Sequence, residues 1–418
     1  MSASSSIHAT RAELLVTGAG EVLTCAGAGG TAEEIIRRIP SGAVAVANGR
    51  VLAAGPEAEV RSQTDCESAA IVHAEGGVVA PGFVDAHTHL VFGGSRVREY
   101  ALRLTRTKAA VEALGVETGI MATVGMTRRE DVDDLFAASL ARLDEMLVHG
   151  TTTVESKSGY GLEPEAELKL LRVNRLLDES HEVDVVSTFM GAHDFPPDVP
   201  RETYVDQVID EMIPRVAEDG VAEFCDVFCD DGYYTVDQAR RILQAGTDAG
   251  LAPKIHADQY SSLGGAELAA ELGAVSADHL NFTDDGDLRR LAEAEVVAVL
   301  MPLIDFAVQH PRPIEARRWV DAGLEIALGT DLCPGGYAVS MPLAIQFACR
   351  WNGLSPEEAM LAATTGSARA CGLGDRGAIE PGLPADLQVW DVGSLEDMVY
   401  RIGHNPVRTV IKNGKVVV

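Results

Sequence analysis

Eight short apolar runs alternate with stretches that carry helix signals over residues 77–372. One such signal is Thr235 with Gln238, which have the spacing of a capping box. Another is the Ser-Pro-Glu-Glu segment at 355–358, which supplies an N-cap, a proline at the first helical position and acidic first-turn residues. This alternation predicts an α/β fold, a (β/α)8 TIM barrel, with a doubly wound open sheet as the alternative. The predicted strands are residues 78–87, 151–159, 183–193, 224–230, 252–258, 274–280, 296–303 and 324–331.

Both ends of the chain have a different pattern, made of short strands and tight turns. An Asn-Gly dipeptide at 48–49 and another at 413–414 each separate two apolar runs, which is a strong signal for a β-hairpin. We therefore expect a small β-sandwich domain built from both termini, residues 1–76 and 373–418. The barrel domain would comprise residues 77–372.

The chain is strongly acidic, with 34 Lys and Arg residues against 63 Asp and Glu residues and a formal net charge of −29. This charge repels phosphate groups and argues against nucleic acid or an anionic membrane surface as a partner. The seven cysteines are scattered, and no CxxC pair indicates a zinc ribbon or a disulfide framework. The sequence shows neither the apolar core of a secretion signal nor a run of about 18 apolar residues, so we expect a cytoplasmic location.

Polar side chains stand where the predicted strands end, and in a barrel these ends form the active-site mouth. Five of the 11 histidines fall at such ends. The polar residues concerned are His87, His89, Lys157, Tyr160, His193, Asp230, His256, Asp258, His279 and Asp331. The remaining histidines, at positions 8, 73, 149, 181, 310 and 404, are assigned no role.

The His87-Thr88-His89 segment is the strongest local signal for a metal site. In an extended segment, residues two apart point the same way, so both imidazoles can reach one ion. With His256 and Asp331, the set offers three nitrogens and one carboxylate oxygen. Such a set suits Zn²⁺ or another borderline divalent metal and leaves a position for water.

The sequence resembles a known family in several segments. PGFVDAHTHL, KIHAD, SADHL and LGTD are similar to segments of the metal-dependent amidohydrolase superfamily. Within it, longer stretches resemble the imidazolonepropionase family, which opens 4-imidazolone-5-propanoate to N-formimino-glutamate in histidine degradation. These stretches are HTHLVFGGSR (87–96), ESKSGYGL (155–162), MGAHDFPP (190–197), DVFC (226–229) and the segment 254–280. The resemblance covers essentially the whole chain.

The resemblance implies a metal and a catalytic set. One divalent metal, Zn or Fe, is implied, because no lysine ends the fourth strand, where binuclear members carry a bridging carbamate. Asp331 would accept the proton of the attacking water, His279 would help to stabilise the oxyanion, and Gln259 occupies the position of a family glutamate. The implied metal ligands are His87, His89, His256 and Asp331.

The resemblance also implies how substrate is bound. Arg96 would hold the substrate's propionate, plausibly through two parallel hydrogen bonds. Tyr160 and His193 would hydrogen-bond the ring or its carbonyl, and Cys333 and Gly336 occupy two further substrate-contact positions. A small acidic cyclic amide is the implied partner, and a homodimer is the implied assembly. Lys157 is interpreted as a buried ion pair with Glu155.

Three departures from the family pattern bear on the ring that is recognised. The motif after the fifth strand ends in Gln259 where the family has glutamate. The segment after Asp331 reads Leu-Cys-Pro-Gly-Gly where the family resembles Phe-Asn-Pro-Gly-Ser, and the turn at 301–303 reads Met-Pro-Leu where Pro-Gly is usual. An amide cannot take up a proton, so any base role of that glutamate is absent.

Alternative functions follow from these departures. The leading prediction is metal-dependent hydrolysis of a cyclic amide, by an imidazolonepropionase or a close relative that acts on a similar ring. A hydantoin-propionate hydrolase and a heterocycle aminohydrolase are the enzymatic alternatives, and Gln259 argues against the second. A metal-binding scaffold without catalysis is the alternative from another class.

Overall fold

The computed structural model describes residues 10–418. Residues 1–9, which include His8 and the start of the predicted β domain, lie outside the described part. Within residues 10–418, no helix is both long enough and apolar enough to cross a membrane.

Two groups of strands make up the sheets, one from the chain ends and one from the middle. The strands from the ends are β1 Thr10–Arg11, β2 Leu14–Thr17, β3 Glu21–Leu23, β4 Arg38–Pro40, β5 Gly42–Ala47, β6 Arg50–Pro56, β7 Thr64–Asp65, β8 Ala70–His73, β9 Val78–Pro81, β18 Leu387–Trp390, β19 Val407–Lys412 and β20 Lys415–Val416. The strands from the middle are β10 Phe83–Asp85, β11 Thr151–Lys157, β12 Asp184–Ala192, β13 Phe224–Cys229, β14 Ala252–Ala257, β15 Ser276–His279, β16 Val297–Leu300 and β17 Ile326–Leu328.

Strands β10–β17 form one eight-stranded parallel sheet in sequential order. The N–H of Ala86 donates to the Leu328 carbonyl and the N–H of Asp331 donates to the His87 carbonyl, which joins the last strand to the first. A doubly wound sheet would reverse its strand order, so the (β/α)8 barrel prediction is confirmed and the open sheet is excluded.

Helices connect the strands of both parts; those between the first barrel strand and β18 belong to the barrel segment, and three others lie between strands of the sheets from the chain ends. The helices are α1 Ala32–Ile36, α2 Glu57–Gln63, α3 Val97–Arg103, α4 Lys108–Glu112, α5 Gly119–Arg129, α6 Val132–Val148, α7 Pro164–Ser180, α8 Arg201–Gln207, α9 Ile213–Asp219, α10 Val236–Asp248, α11 Gly265–Leu272, α12 Asp285–Glu293, α13 Pro302–Ala307, α14 Ala316–Asp321, α15 Met341–Arg350, α16 Pro356–Leu361, α17 Ser367–Ala370 and α18 Leu395–Tyr400, with π-helical turns at Val208–Met212 and Ala362–Gly366. Helix α10 begins with the predicted capping box at Thr235, and α16 begins at the predicted N-cap Ser355, which forms a capping box with Glu358 as well.

The strands from both chain ends form a six-stranded sheet, in the order β20-β19-β18-β9-β3-β4, and a four-stranded sheet, in the order β6-β5-β2-β8. Apolar side chains from both sheets, such as Val44 and Leu387, belong to one buried cluster, as expected of a sandwich. The hairpins β5–β6 and β19–β20 turn at the predicted Asn-Gly dipeptides. The domain boundaries stay a prediction.

The first predicted barrel strand is wrong as a single element. Residues 78–87 contain two strands, because β9 pairs with β18 and β3 in the six-stranded sheet, and only β10 joins the barrel. Gly82 separates them, and a Cβ there would lie 2.3 Å from Thr152 Oγ1. The chain therefore passes from one sheet to the other at Gly82.

Candidate active site

Residues from four parts of the barrel meet at its C-terminal mouth. His87 and His89 follow β10, His256 lies near the end of β14, His279 ends β15, and Asp331 follows β17. Each of these side chains is buried, with at most 6% of the residue exposed. Sequential parallel strands bring their C-terminal ends to one side, so residues far apart in sequence become neighbours.

We call His87, His89, His256 and Asp331 the ligand cluster. One donor atom from each of the three histidines lies within 4.8 Å of the others, and so does one from each of His87, His279 and Asp331. The His87 Nε2 atom lies 3.8 Å from Asp331 Oδ1. The structure thus brings together the four residues predicted as ligands, and their binding of a metal stays a prediction.

Two of the imidazoles are oriented for metal coordination. The His87 Nδ1 atom lies 2.6 Å from Asp278 Oδ2, and His256 Nδ1 lies 3.1 Å from both carboxylate oxygens of Asp226. A carboxylate beside Nδ1 keeps the ring proton there and leaves the Nε2 lone pair for an ion. Both Nε2 atoms are buried and have no hydrogen-bond partner among residues 10–418. This donor set fits a divalent metal.

Burial controls the protonation of three histidines and one aspartate at the mouth. It lowers the pKa of His87, His89 and His279 well below the usual value, with the neighbouring histidines acting in the same direction. The neutral imidazole is the form that binds a metal. Burial raises the pKa of Asp331, which the charge of Lys157 partly opposes.

Beneath the ligand cluster lies a network of buried charges. The Lys157 Nζ atom lies 2.8 Å from Glu155 Oε1, which confirms the predicted ion pair. It also lies 2.8 Å from Asp226 Oδ2 and 3.1 Å from Asp278 Oδ2. Although burial opposes its charge, these carboxylates raise the pKa of Lys157 well above the usual value. With Lys254, which lies 2.7 Å from Glu155, these residues form the lysine–carboxylate network.

Asp226 and Asp278 are functional candidates that the sequence patterns did not indicate. Both stand inside fully buried strands, β13 and β15, where an aspartate is rarely found without a partner. That placement was the available signal. Their partners could not be read from the sequence, because the contact between Asp278 and His87 spans 191 positions.

The loop after β11 and the residue after β12 form the part of the mouth beside His89. His193 stacks on His89 with ring centroids 4.6 Å apart, and its Nδ1 atom lies 3.1 Å from the Gly159 carbonyl oxygen. The Tyr160 ring lies 5.3 Å from the His89 ring. Glu167 is fully buried and accepts three backbone N–H bonds from this loop at 2.7–2.9 Å. Tyr160 and His193 therefore lie beside the ligand cluster, where a substrate ring could meet them.

Arg96 lies at the outer side of the mouth. Its Nε and Nη2 atoms donate to Glu99 at 2.6 and 2.9 Å, which leaves Nη1 as the nitrogen not engaged by that carboxylate. A Cβ at Gly335 would lie 3.7 Å from Nη1. A cavity of about 430 Å³ adjoins Arg96 and is also lined by Tyr260 and His310, so it lies on the Arg96 side of the mouth.

Three of the residues that depart from the family pattern, Gln259, Cys333 and Gly336, lie in different settings. The Gln259 residue is 5% exposed, and within residues 10–418 its side-chain amide has no hydrogen bond to another residue. Its backbone carbonyl accepts from His310 Nε2 at 2.9 Å, a contact not expected from the sequence. Cys333 is buried, and a Cβ at Gly336 would lie 2.5 Å from Ile304 Cδ1.

Unusual backbone conformations occur at the cluster. Asp331 has φ = 48° and His279 has φ = 77°, both in the left-handed region that few residues other than glycine adopt. Such positions concentrate at functional sites, where the surrounding structure holds them. Close packing is also evident at Gly329, where a Cβ would lie 2.7 Å from the Cβ of His87.

Replacement of Gly329 by alanine is therefore expected to displace His87. We expect a loss of about 1–3 kcal/mol in the free energy of unfolding from overpacking. Metal content should also fall, because His87 is one of the predicted ligands. Chemical denaturation and metal analysis measure the two effects. The control is Gly374→Ala, since a Cβ at Gly374 meets nothing within 4 Å; an equal effect of both changes would contradict the prediction.

Comparisons with known proteins agree with this geometry. The amidohydrolase family model matches residues 78–417. The chain is similar to the imidazolonepropionase of Geobacillus kaustophilus, at 47% identity over 91% of each chain. It is also similar to that of Haloarcula marismortui, at 44% identity over 90% of each chain.

Solved structures of lower identity share the fold. An adenosine deaminase from Xanthomonas campestris with bound zinc has a TM-score of 0.70 and 22% identity, covering 97% of this chain and 93% of its own. An atrazine chlorohydrolase variant from Arthrobacter aurescens with zinc and atraton has a TM-score of 0.74 and 18% identity, and the match covers 97% of this chain and 95% of that one. From the family model, the relatives and the barrel with its histidine pair, this chain belongs to the amidohydrolase family and, within it, to the imidazolonepropionase family.

Proposed function

We propose that this protein hydrolyses a C–N bond of a small cyclic amide with an acidic side chain, with 4-imidazolone-5-propanoate as substrate and N-formimino-glutamate as product. The observation that carries the proposal is the ligand cluster, with two buried Nε2 atoms that have no hydrogen-bond partner in the described part of the chain. The identity of the relatives supports the choice of ring.

The ligand cluster would hold one divalent metal, zinc or iron. When bound, it supplies a Lewis acid that polarises a carbonyl and lowers the pKa of water. Asp331 is the carboxylate of the cluster and can accept a proton from water and return it to the leaving ring nitrogen. His279 lies beside the cluster and can donate a hydrogen bond to oxygen that gains negative charge. Arg96 Nη1 can bind the acidic side chain at the outer side of the mouth.

Turnover of the proposed substrate tests this function. Purified protein loaded with Zn²⁺ or Fe²⁺ should convert imidazolone propionate to formimino-glutamate, and chelator-treated protein should not. No turnover with one metal fully bound would overturn the choice of substrate. Ammonia release from purines, pyrimidines or pterins would instead indicate an aminohydrolase, whereas inertness towards all rings would favour a metal-binding scaffold.

A second candidate substrate is hydantoin-5-propanoate, which would give N-carbamoyl-glutamate. It is favoured by the Gln259 amide, which has no hydrogen bond within the described residues. An amide can donate to a second ring carbonyl, which a glutamate carboxylate cannot do. The same assay with this ring, followed by detection of the carbamoyl product, distinguishes the two candidates.

Replacement of Arg96 by methionine is expected to weaken binding of the acidic substrate. The change removes a half-buried cation. We expect kcat/KM to fall by an amount equivalent to about 2–5 kcal/mol, mostly because KM rises. Metal content should be unchanged, because no member of the ligand cluster is altered. The Glu99→Gln variant, which keeps the arginine, separates this loss from the loss of the Arg96–Glu99 pair. A ring analogue without the carboxylate should show no difference between wild type and R96M.

A further inference from the structure

Lys157 occupies the centre of the lysine–carboxylate network. Its ammonium group lies within 3.1 Å of Glu155, Asp226 and Asp278, and all four side chains are fully buried. One cation therefore lies between three carboxylates that no water reaches. Removing one partner from such a set leaves buried charge without compensation.

Two of these carboxylates also hold the ligand cluster. Asp278 Oδ2 contacts both Lys157 Nζ, at 3.1 Å, and His87 Nδ1, at 2.6 Å. Asp226 Oδ2 contacts both Lys157 Nζ, at 2.8 Å, and His256 Nδ1, at 3.1 Å. A single ammonium group thus contacts both of the carboxylates that orient the imidazoles of His87 and His256.

The two aspartates repel each other unless a cation lies between them. One oxygen of each, with a nitrogen of His256, falls within a distance of 4.8 Å. The ammonium group of Lys157 offsets this repulsion and fixes the direction in which each carboxylate faces its histidine. Groups that orient metal ligands in this way commonly change metal affinity or activity by about 10- to 100-fold when altered.

We propose that Lys157 is a positioning residue for the metal centre: through Asp226 and Asp278 it fixes the orientation of His256 and His87 and so sets the affinity for a divalent metal. This proposal rests on the metal centre of the proposed function. It does not depend on which ring is hydrolysed.

The chain offers a matched control in Lys254. It is also fully buried and lies 2.7 Å from the same Glu155 oxygen, and its Nζ atom lies 4.8 Å from the centre of the Phe224 ring. Within residues 10–418 it makes no ion pair with Asp226 or Asp278. A change at Lys254 therefore removes a buried charge and a bond to Glu155 without removing a contact of Asp226 or Asp278, and its charge acts on Asp278 only from a distance.

The test compares Lys157→Met with Lys254→Met in the full chain. The zinc dissociation constant is measured by competition with a chromophoric chelator, and the Co²⁺-loaded proteins are compared by their visible absorption spectra. We expect K157M to bind zinc about 10- to 100-fold more weakly and to show an altered cobalt spectrum. K254M should retain the wild-type affinity within about threefold and the wild-type spectrum. Equal affinities in K157M and wild type, or equal losses in both variants, would overturn the proposal.

A charge-balanced pair of variants covers the case in which K157M does not fold. The network of two lysines and three carboxylates carries a net charge of −1 when all are ionised. Lys157→Met combined with Glu155→Gln keeps that value, and Lys254→Met with Glu155→Gln is its control. The first should still lose zinc affinity and the second should keep it, whereas wild-type affinity in the first overturns the proposal. Because no substrate is present, an incorrect choice of substrate leaves this result unaffected.

Discussion

Replacement of Asp331 by asparagine is expected to lower kcat/KM by about 10²- to 10⁴-fold, the range typical of a lost proton-transfer group. An amide cannot accept a proton and is a poorer metal ligand than a carboxylate. Asparagine tolerates the left-handed backbone found at this position, where φ = 48°, so the loop should keep its shape. Steady-state kinetics on metal-loaded protein measure the loss, and metal analysis shows how much of it comes from weaker binding.

The control for this change is Asp258→Asn. Asp258 is also a buried aspartate after a barrel strand in the left-handed region, with φ = 53°. Its carboxylate accepts from Thr283 Oγ1 at 2.9 Å and from backbone N–H groups of Leu263 and Gly265 at 3.3 Å. We expect D258N to keep kcat/KM within about tenfold, below the effect of a proton-transfer group. If D331N and D258N lost activity equally, Asp331 would have no special role in proton transfer.

The barrel and its cluster were predictable because local patterns determine them. The period of strands and helices gives the topology, and topology alone places His87, His256 and Asp331 at one mouth. The division of the first predicted strand at Gly82 was not predictable in this way. The Pro-Gly pair at 81–82 interrupts the apolar residues of 78–87, but it does not show that the two halves join different sheets, and at Gly82 the chain passes close to Thr152 of the neighbouring strand.

The residues that orient the ligand cluster could not be predicted from local sequence patterns, because their contacts join distant segments. The pairing of Lys157 with Glu155 follows from strand alternation, since residues two apart share a face. Contacts of Lys157 with Asp226 and Asp278 depend on the relative register of three separate strands. The sequence shows that these aspartates lie in apolar strands, and the structure shows which histidine each one holds.

The setting of Gln259 leads to the prediction with the largest expected effect on specificity. Gln259 is buried as a residue, and its side-chain amide has no hydrogen bond within residues 10–418. A bound ring that covers this amide without accepting from it leaves the donor without a partner, at a cost of about 1–3 kcal/mol, so a ring that accepts from it is favoured. Hydantoin-5-propanoate carries a second carbonyl, whereas the imidazolone has C–H at that ring position.

Gln259→Glu should therefore shift preference towards the imidazolone and away from the hydantoin. A carboxylate only accepts hydrogen bonds and would repel the second carbonyl, while it can accept from a ring N–H. We expect the ratio of kcat/KM for imidazolone over hydantoin to rise by about 10- to 100-fold, as for one hydrogen bond to a charged group. Gln309→Glu is the control for the added charge, because Gln309 lines the cavity beside Arg96. An unchanged ratio in Q259E, or the same shift in Q309E, would show that the Gln259 amide does not select the ring.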